Sequence, residues 1–154
     1  SKLIPIENSE DSLQLINNSA KFLNFSPYSP KIYKIMTQGV KEIYISGFIL
    51  KKKHLQSLIS HTRNLEKLCF EVCKIETLGV KFVDTNYKLQ TIDFRYCWRQ
   101  KYSDWQNNPE GFISFLTAIE KCSLRDTLQT IIFWGSDFIN QDIIDKCNDI
   151  EIEL

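Results

Sequence analysis

Apolar residues recur along this chain in one frame. The frame is clearest at Leu65, Leu68, Phe70, Cys73 and Ile75. Apolar side chains stand there at positions 1, 4, 6 and 11, with a small thiol at position 9. The frame returns at Val40, Ile43, Ile45, Phe48 and Leu50, and again at Leu89, Ile92, Phe94 and Cys97. A fourth copy runs through Leu128, Ile131, Phe133, Ser136 and Phe138. Weaker copies flank these at Ala20, Leu23 and Phe25, and at Cys147, Ile150 and Ile152. Alternation of positions 4 and 6 is strand periodicity, with those two side chains facing a core and positions 3, 5 and 7 facing away.

Between the strands the period changes to that of helices. Segment 54–61 sets Leu55, Leu58 and Ile59 on one face, and segment 109–121 does so with Phe112, Phe115, Leu116 and Ile119. Asn108 and Pro109 supply an N-cap and a first helical residue for the latter. Segment 30–38 offers Ile32, Ile35 and Met36, and segment 139–147 offers Ile139, Ile143 and Ile144. Segment 77–87 fits a helix through Leu78, Phe82 and Val83, although Gly79 and Val80 weaken it.

A short strand cannot bury its apolar face alone, and stacking parallel copies through crossovers makes a continuous core. The copies start at 20, 40, 65, 89, 128 and 147, and most intervals match the period of leucine-rich repeats. The expected fold is therefore α/β: a leucine-rich-repeat-like solenoid of parallel strands, each followed by a helix. The rival is an ordinary open α/β sheet. One domain spans 1–154, with about six irregular repeats, an N-terminal segment or cap at 1–18, and an insertion at 98–108 that lengthens the fourth interval.

Five stretches carry a further pattern: 41–48, 53–58, 68–73, 102–108 and 128–131. Tyr102, Ser103, Asp104 and Trp105 are the most specific, since no generic repeat rule requires them. Through them the stretch from Val40 to Cys147 resembles a large group of uncharacterised leucine-rich-repeat-like (ribonuclease-inhibitor-like) proteins from ciliates. The resemblance implies a repeat fold and carries no assigned reaction.

Composition narrows the function. Nineteen basic residues balance nineteen acidic ones, whereas nucleic-acid binders usually carry a basic excess that displaces counterions from phosphates. No nucleic-acid partner is expected. No apolar run approaches the ~18 residues of a membrane span, and no apolar signal core opens the sequence. Five cysteines, an odd number, read as reduced thiols in an intracellular compartment, cytoplasmic first and mitochondrial as the alternative.

The chemistry considered is mostly structural. Cys73 and Cys97 fill slot 9, where a thiol can satisfy the backbone as the strand bends away. Cys69 stands at position 5, facing away from the core, so its sulfur points away from that of Cys73 and no four-ligand metal site forms. His54 and His61 lack the H-E-x-x-H arrangement and read as helix-surface histidines. No phosphate-binding or nucleophile motif occurs. No cofactor and no metal are expected. Lys51, Lys52 and Lys53 form a basic run before a helix, either a solvated loop or a docking patch for an acidic partner.

The outward sheet positions carry the functional expectation. They present Glu42, Tyr44 and Ser46, then Lys67, Cys69 and Glu71, then Thr91, Asp93 and Arg95 with Tyr96 beside it, then Thr130, Ile132 and Trp134. Tyr, Trp and Arg dominate interface hot spots. Trp98 and Trp105, in the insertion, extend that patch at its rim or pack on the repeat edge. The expected role is a non-catalytic protein-interaction or scaffold module. The alternatives are an accessory or assembly subunit of a large complex, a mitochondrial one included, and an enzyme with its site on the concave face.

Overall fold

The computed structural model describes residues 4–9, 12–17, 23–24, 39–75, 80–82, 86–95, 97, 109–134 and 140–153. Its strands are β1 (Ile4–Ser9), β2 (Ser12–Ile16), β3 (Leu23–Asn24), β4 (Glu42–Ser46), β5 (Phe48–Leu50), β6 (Lys67–Glu71), β7 (Lys74–Ile75), β8 (Thr91–Arg95) and β9 (Thr130–Trp134). Its helices are α1 (Lys52–His61), α2 (Pro109–Glu120), α3 (Leu124–Thr127) and α4 (Gln141–Asp149).

The result is a mixed α/β fold built on a mostly parallel sheet. Six strands lie in the order β1-β2-β4-β6-β8-β9. β1 runs antiparallel to β2, and the other five strands are parallel. The register is unbroken across those five. Leu13, Ile43, Leu68, Ile92 and Ile131 stand side by side, and so do Leu15, Ile45, Phe70 and Phe94. All nine of these side chains are buried. The four strongest copies of the frame thus become β4, β6, β8 and β9, adjacent in chain order as their period requires.

Core packing follows from that register. Phe70 and Phe94 stack with ring centroids 5.6 Å apart. Phe94 meets Phe115 of α2 edge-to-face at 6.4 Å. α1 buries His54, Leu55, Leu58 and Ile59, and α2 buries Phe112, Phe115, Leu116 and Ile119. α4 is capped by Asn140, whose Oδ1 accepts from the Ile143 N–H at 3.0 Å.

A corner recurs after β2, β4 and β6. The residue following the strand donates its N–H to the last carbonyl of the next strand: Asn17 to Ser46 at 2.9 Å, Gly47 to Glu71 at 3.3 Å and Val72 to Arg95 at 2.9 Å. The corner bends the chain into a second parallel sheet, β3-β5-β7. Gly47 and Val72 both adopt the left-handed conformation, with φ of 82° and 50°. At Gly47 an added Cβ would lie 2.9 Å from the Asn17 carbonyl oxygen, so Gly47→Ala is expected to destabilise by about 1–3 kcal/mol. Val72 is a β-branched residue in the same conformation and is 39% exposed. Val72→Gly is therefore expected to stabilise by up to about 1 kcal/mol, because it removes strain and gives up little packing. Urea denaturation of both variants checks the pair. Equal shifts of the same sign would show that the corner does not set the strain.

The structure corrects several expectations. The copy begun at Ala20 is not a main-sheet strand, since Leu23 and Asn24 pair with Phe48 and Ile49 in the second sheet. The neighbour of β4 is β2, so the N-terminal segment contributes a full strand as well as the antiparallel β1. Leu13 and Leu15 alternate correctly, but Glu10 replaces the leading apolar residue of the frame and masks the copy. The copy begun at Cys147 is also displaced. Cys147 lies on α4, where it shares a buried face with Ile143, and the chain then returns to the sheet through a bridge between Thr130 and Glu153. Cys147, Ile150 and Ile152 keep the strand-frame spacing across the end of that helix without forming a main-sheet strand. Residues 80–82 and 86–87 of the expected 77–87 helix carry no helix, although Val80 and Tyr87 are buried. His54 is buried rather than a surface residue; its Nδ1 accepts from the Lys51 N–H at 3.3 Å. The 30–38 helix and the 98–108 insertion lie outside the described residues.

Candidate functional site

The parallel register lines up the outward positions of the strands in rows, with neighbours in a row about 4.8 Å apart. Gln14, Tyr44, Cys69, Asp93 and Ile132 form one row, and Ile16, Ser46, Glu71, Arg95 and Trp134 form the next. A third row holds Ser12, Glu42, Lys67, Thr91 and Thr130. A shallow cleft of about 240 Å³ opens on this face, with Gln14, Glu42, Tyr44, Lys67, Cys69 and Arg95 in its lining.

The polar groups of the face are tied together across strands. The Tyr44 hydroxyl donates to the Glu71 carboxylate. Arg95 Nε donates to Asp93 Oδ2 at 2.7 Å, from the same face of the same strand. Asp93 is fully buried and its Oδ1 has no hydrogen-bond partner among the described residues, whereas the Arg95 side chain is 41% exposed. The carboxylate holds the Arg95 guanidinium still more firmly in its charged form, chiefly by that hydrogen bond. Arg95 is thus a partly exposed cation whose position is set from below.

Cys69 sits between these groups and is nearly buried, at 6% exposure. Burial, and then the negative charge of Asp93, push its thiol up to about 11. It is therefore a neutral thiol at neutral pH, not a thiolate nucleophile. Its burial and that of Asp93 correct the expectation that the whole outward row is exposed. Short side chains on central strands are overshadowed by the longer ones beside them, and here Tyr44, Lys67, Glu71 and Arg95 stand around them.

Slot 9 behaves as its chemistry implies. The Cys73 thiol donates to the Ile45 carbonyl at 3.4 Å, and the Cys97 thiol donates to the Phe70 carbonyl at 3.5 Å. Each thiol therefore caps the carbonyl of position 6 one strand back. All five cysteines are free thiols. Among the described residues, no three His, Cys, Asp or Glu side chains gather as metal donors. Among them, too, no helix is long and apolar enough to cross a membrane.

Of the six expected contact residues, Tyr44 and Arg95 are brought onto one face. Trp134 joins them by register, its Cα opposite that of Arg95. Tyr96, Trp98 and Trp105 lie outside the described residues. Sequence reasoning placed Glu71 and Asp93 on this face but did not see them as braces. The available signal was the i, i+2 spacing of Asp93 and Arg95, which puts two opposite charges on one face of one strand.

Fold and face together define a mixed α/β protein with an ordered polar surface on a mostly parallel sheet. Comparison with family models, with curated proteins and with solved structures finds no match.

Proposed function

We propose that this chain is a leucine-rich-repeat-like solenoid that binds another protein on its outward sheet face and catalyses no reaction. The strand order, the repeated corner and the second sheet support the solenoid reading. They are what stacked strand–corner–crossover units would produce. The resemblance to the ciliate repeat proteins belongs to the same reading, as does an intracellular setting in which the thiols stay reduced.

The observation that carries the binding role is the braced pair of large side chains. Arg95 is fixed by buried Asp93, and Tyr44 is fixed by Glu71. Side chains ordered before binding lose less entropy on association, and Arg, Tyr and Trp supply most interface hot spots. Tyr44 pairs with Glu71 and Arg95 with Asp93, which suits recognition better than proton transfer. No cofactor enters this reading.

The test begins with a partner captured from the native source by the intact chain. Arg95→Ala and Trp134→Ala, each shown to be folded by circular dichroism, are then compared with the parent for affinity. Each is expected to weaken binding by about 2 kcal/mol, or roughly thirtyfold. Arg95→Lys keeps a cation near Asp93 and separates a lost contact from a disturbed sheet. Full retention of affinity in both folded alanine variants would move the site off this face.

A further inference from the structure

We propose that the helical side of the molecule carries a second docking surface, a lysine-lined groove that receives an acidic segment of a partner protein. The surface begins at α1. A groove of about 700 Å³ runs along that helix, lined by Lys51, Lys52, Lys53, Gln56, Ser60 and His61. A second groove, of about 510 Å³, lies between residues 80–82 and α2, with Val80, Lys81, Phe82, Ala118 and Lys121 in its wall. The two meet where the Lys81 N–H donates to Gln56 Oε1 at 3.5 Å. Gln56 lines the first groove and Lys81 the second.

The charge on this surface is one-sided. From Phe48 to Leu65 the chain contains no Asp or Glu, but it contains Lys51, Lys52, Lys53 and Arg63. All five groove lysines are exposed. Among the described residues the salt bridges join Arg95 to Asp93 and Lys146 to Glu120, so none uses these lysines. Glu120, the acid adjacent to Lys121, is the one held by Lys146. Three lysines at the start of α1 also oppose its dipole, and the first turn has no acid to offset them. A fold that tolerates this unfavourable arrangement gains from an anion brought by a partner.

The shape and the apolar groups select the class of anion. An acidic segment that also carries aliphatic side chains can set carboxylates against the ammonium groups. Its apolar side chains then meet Val80, Phe82, Ala118 and the lysine stems. A lipid surface calls for projecting apolar anchors. The exposed large hydrophobics among the described residues are Val72 and Ile144, and neither lines these grooves. A nucleic acid calls for stacking platforms and a basic excess. Phe82 is the one aromatic carbocycle in the two linings, and the chain is neutral overall.

The experiment uses the full chain and a short fluorescein-labelled peptide of glutamates and leucines, read by fluorescence anisotropy at low and raised salt. Binding is expected, and it should weaken as salt screens the lysines. Lys52→Glu with Lys53→Glu, and separately Lys81→Glu with Lys121→Glu, should each weaken it by about tenfold or more. Lys41→Glu with Lys88→Glu, a change of equal charge at two exposed lysines outside both grooves, should leave it unchanged. Thermal melts of these surface variants confirm that each is folded. No binding, or equal weakening by all three variants, overturns the proposal. Tighter binding to single-stranded DNA or to phosphatidylserine vesicles than to the peptide overturns the choice of partner. Self-association of the parent chain that the same variants abolish also overturns it, and assigns the groove to a second copy. Loss of the outward-face interaction through Arg95→Ala has no bearing on this result, so the two surfaces succeed or fail separately.

Discussion

Phe94→Ala is expected to destabilise the protein by about 3–5 kcal/mol, the range for removing a buried phenyl ring from a core. Phe94 has no exposed surface and sits on β8, between β6 and β9. Its ring stacks on Phe70 from the neighbouring strand and meets Phe115 of α2 edge-on. It therefore joins sheet to helix as well as strand to strand. The cavity left by alanine would have a rigid floor of strands that cannot close in without breaking their register. The urea midpoint and the melting temperature both report the change. A melting temperature equal to that of the parent would show that the ring is not part of the core. Phe94→Leu refills much of the volume and should recover more than half of the loss.

Alkaline pH should unfold the chain through its buried thiols. Burial pushes Cys73 up to about 12, and Cys69 and Cys147 to about 11, from an ordinary value near 9. Cys97 is raised for the same reason. Above pH 9 the unfolded chain releases these protons while the folded chain still holds them. Stability is therefore full below about pH 9 and is lost as pH rises toward 11 and 12. Each thiol contributes a slope of about 1.4 kcal/mol per pH unit inside its window, so Cys73 alone accounts for up to about 3 kcal/mol over two units. Lysine and tyrosine titration add to any alkaline effect, so a comparison isolates the thiol. Urea midpoints of the parent and of Cys73→Ala, measured under reducing conditions from neutral pH to above 10, should converge as pH rises. Parallel curves would mean that the Cys73 thiol titrates alike in both states.

Slot 9 also shows why the thiols are buried at all. Cys73 and Cys97 each cap a carbonyl of the preceding strand, a role that alanine cannot fill. Phe48 occupies the same slot in the preceding copy and fills it with volume instead of a donor. The slot thus accepts two solutions, a small donor or a large apolar ring.

The sequence by itself determined the parallel strands β4, β6, β8 and β9, their inward faces, and the helices α1, α2 and α4. Local periodicity is sufficient there, because the side chains that face the core are the ones the frame repeats. The same periodicity placed Tyr44 and Arg95 on the outward face. It could not find β2, whose leading frame position is polar, nor show that the frame at Cys147, Ile150 and Ile152 is not a main-sheet strand. Those assignments depend on which neighbour a segment packs against. Tertiary structure alone decided that Asp93 and Cys69 are covered while Arg95 and Tyr44 stand above them. Burial on a sheet face is set by the size of the side chains on adjacent strands, and adjacency between residues more than twenty positions apart exists only once the sheet has formed. The lysine groove has the same origin. The run Lys51, Lys52 and Lys53 is visible in the sequence, but its continuation to Lys81 and Lys121 is a consequence of how the crossover segments pack side by side.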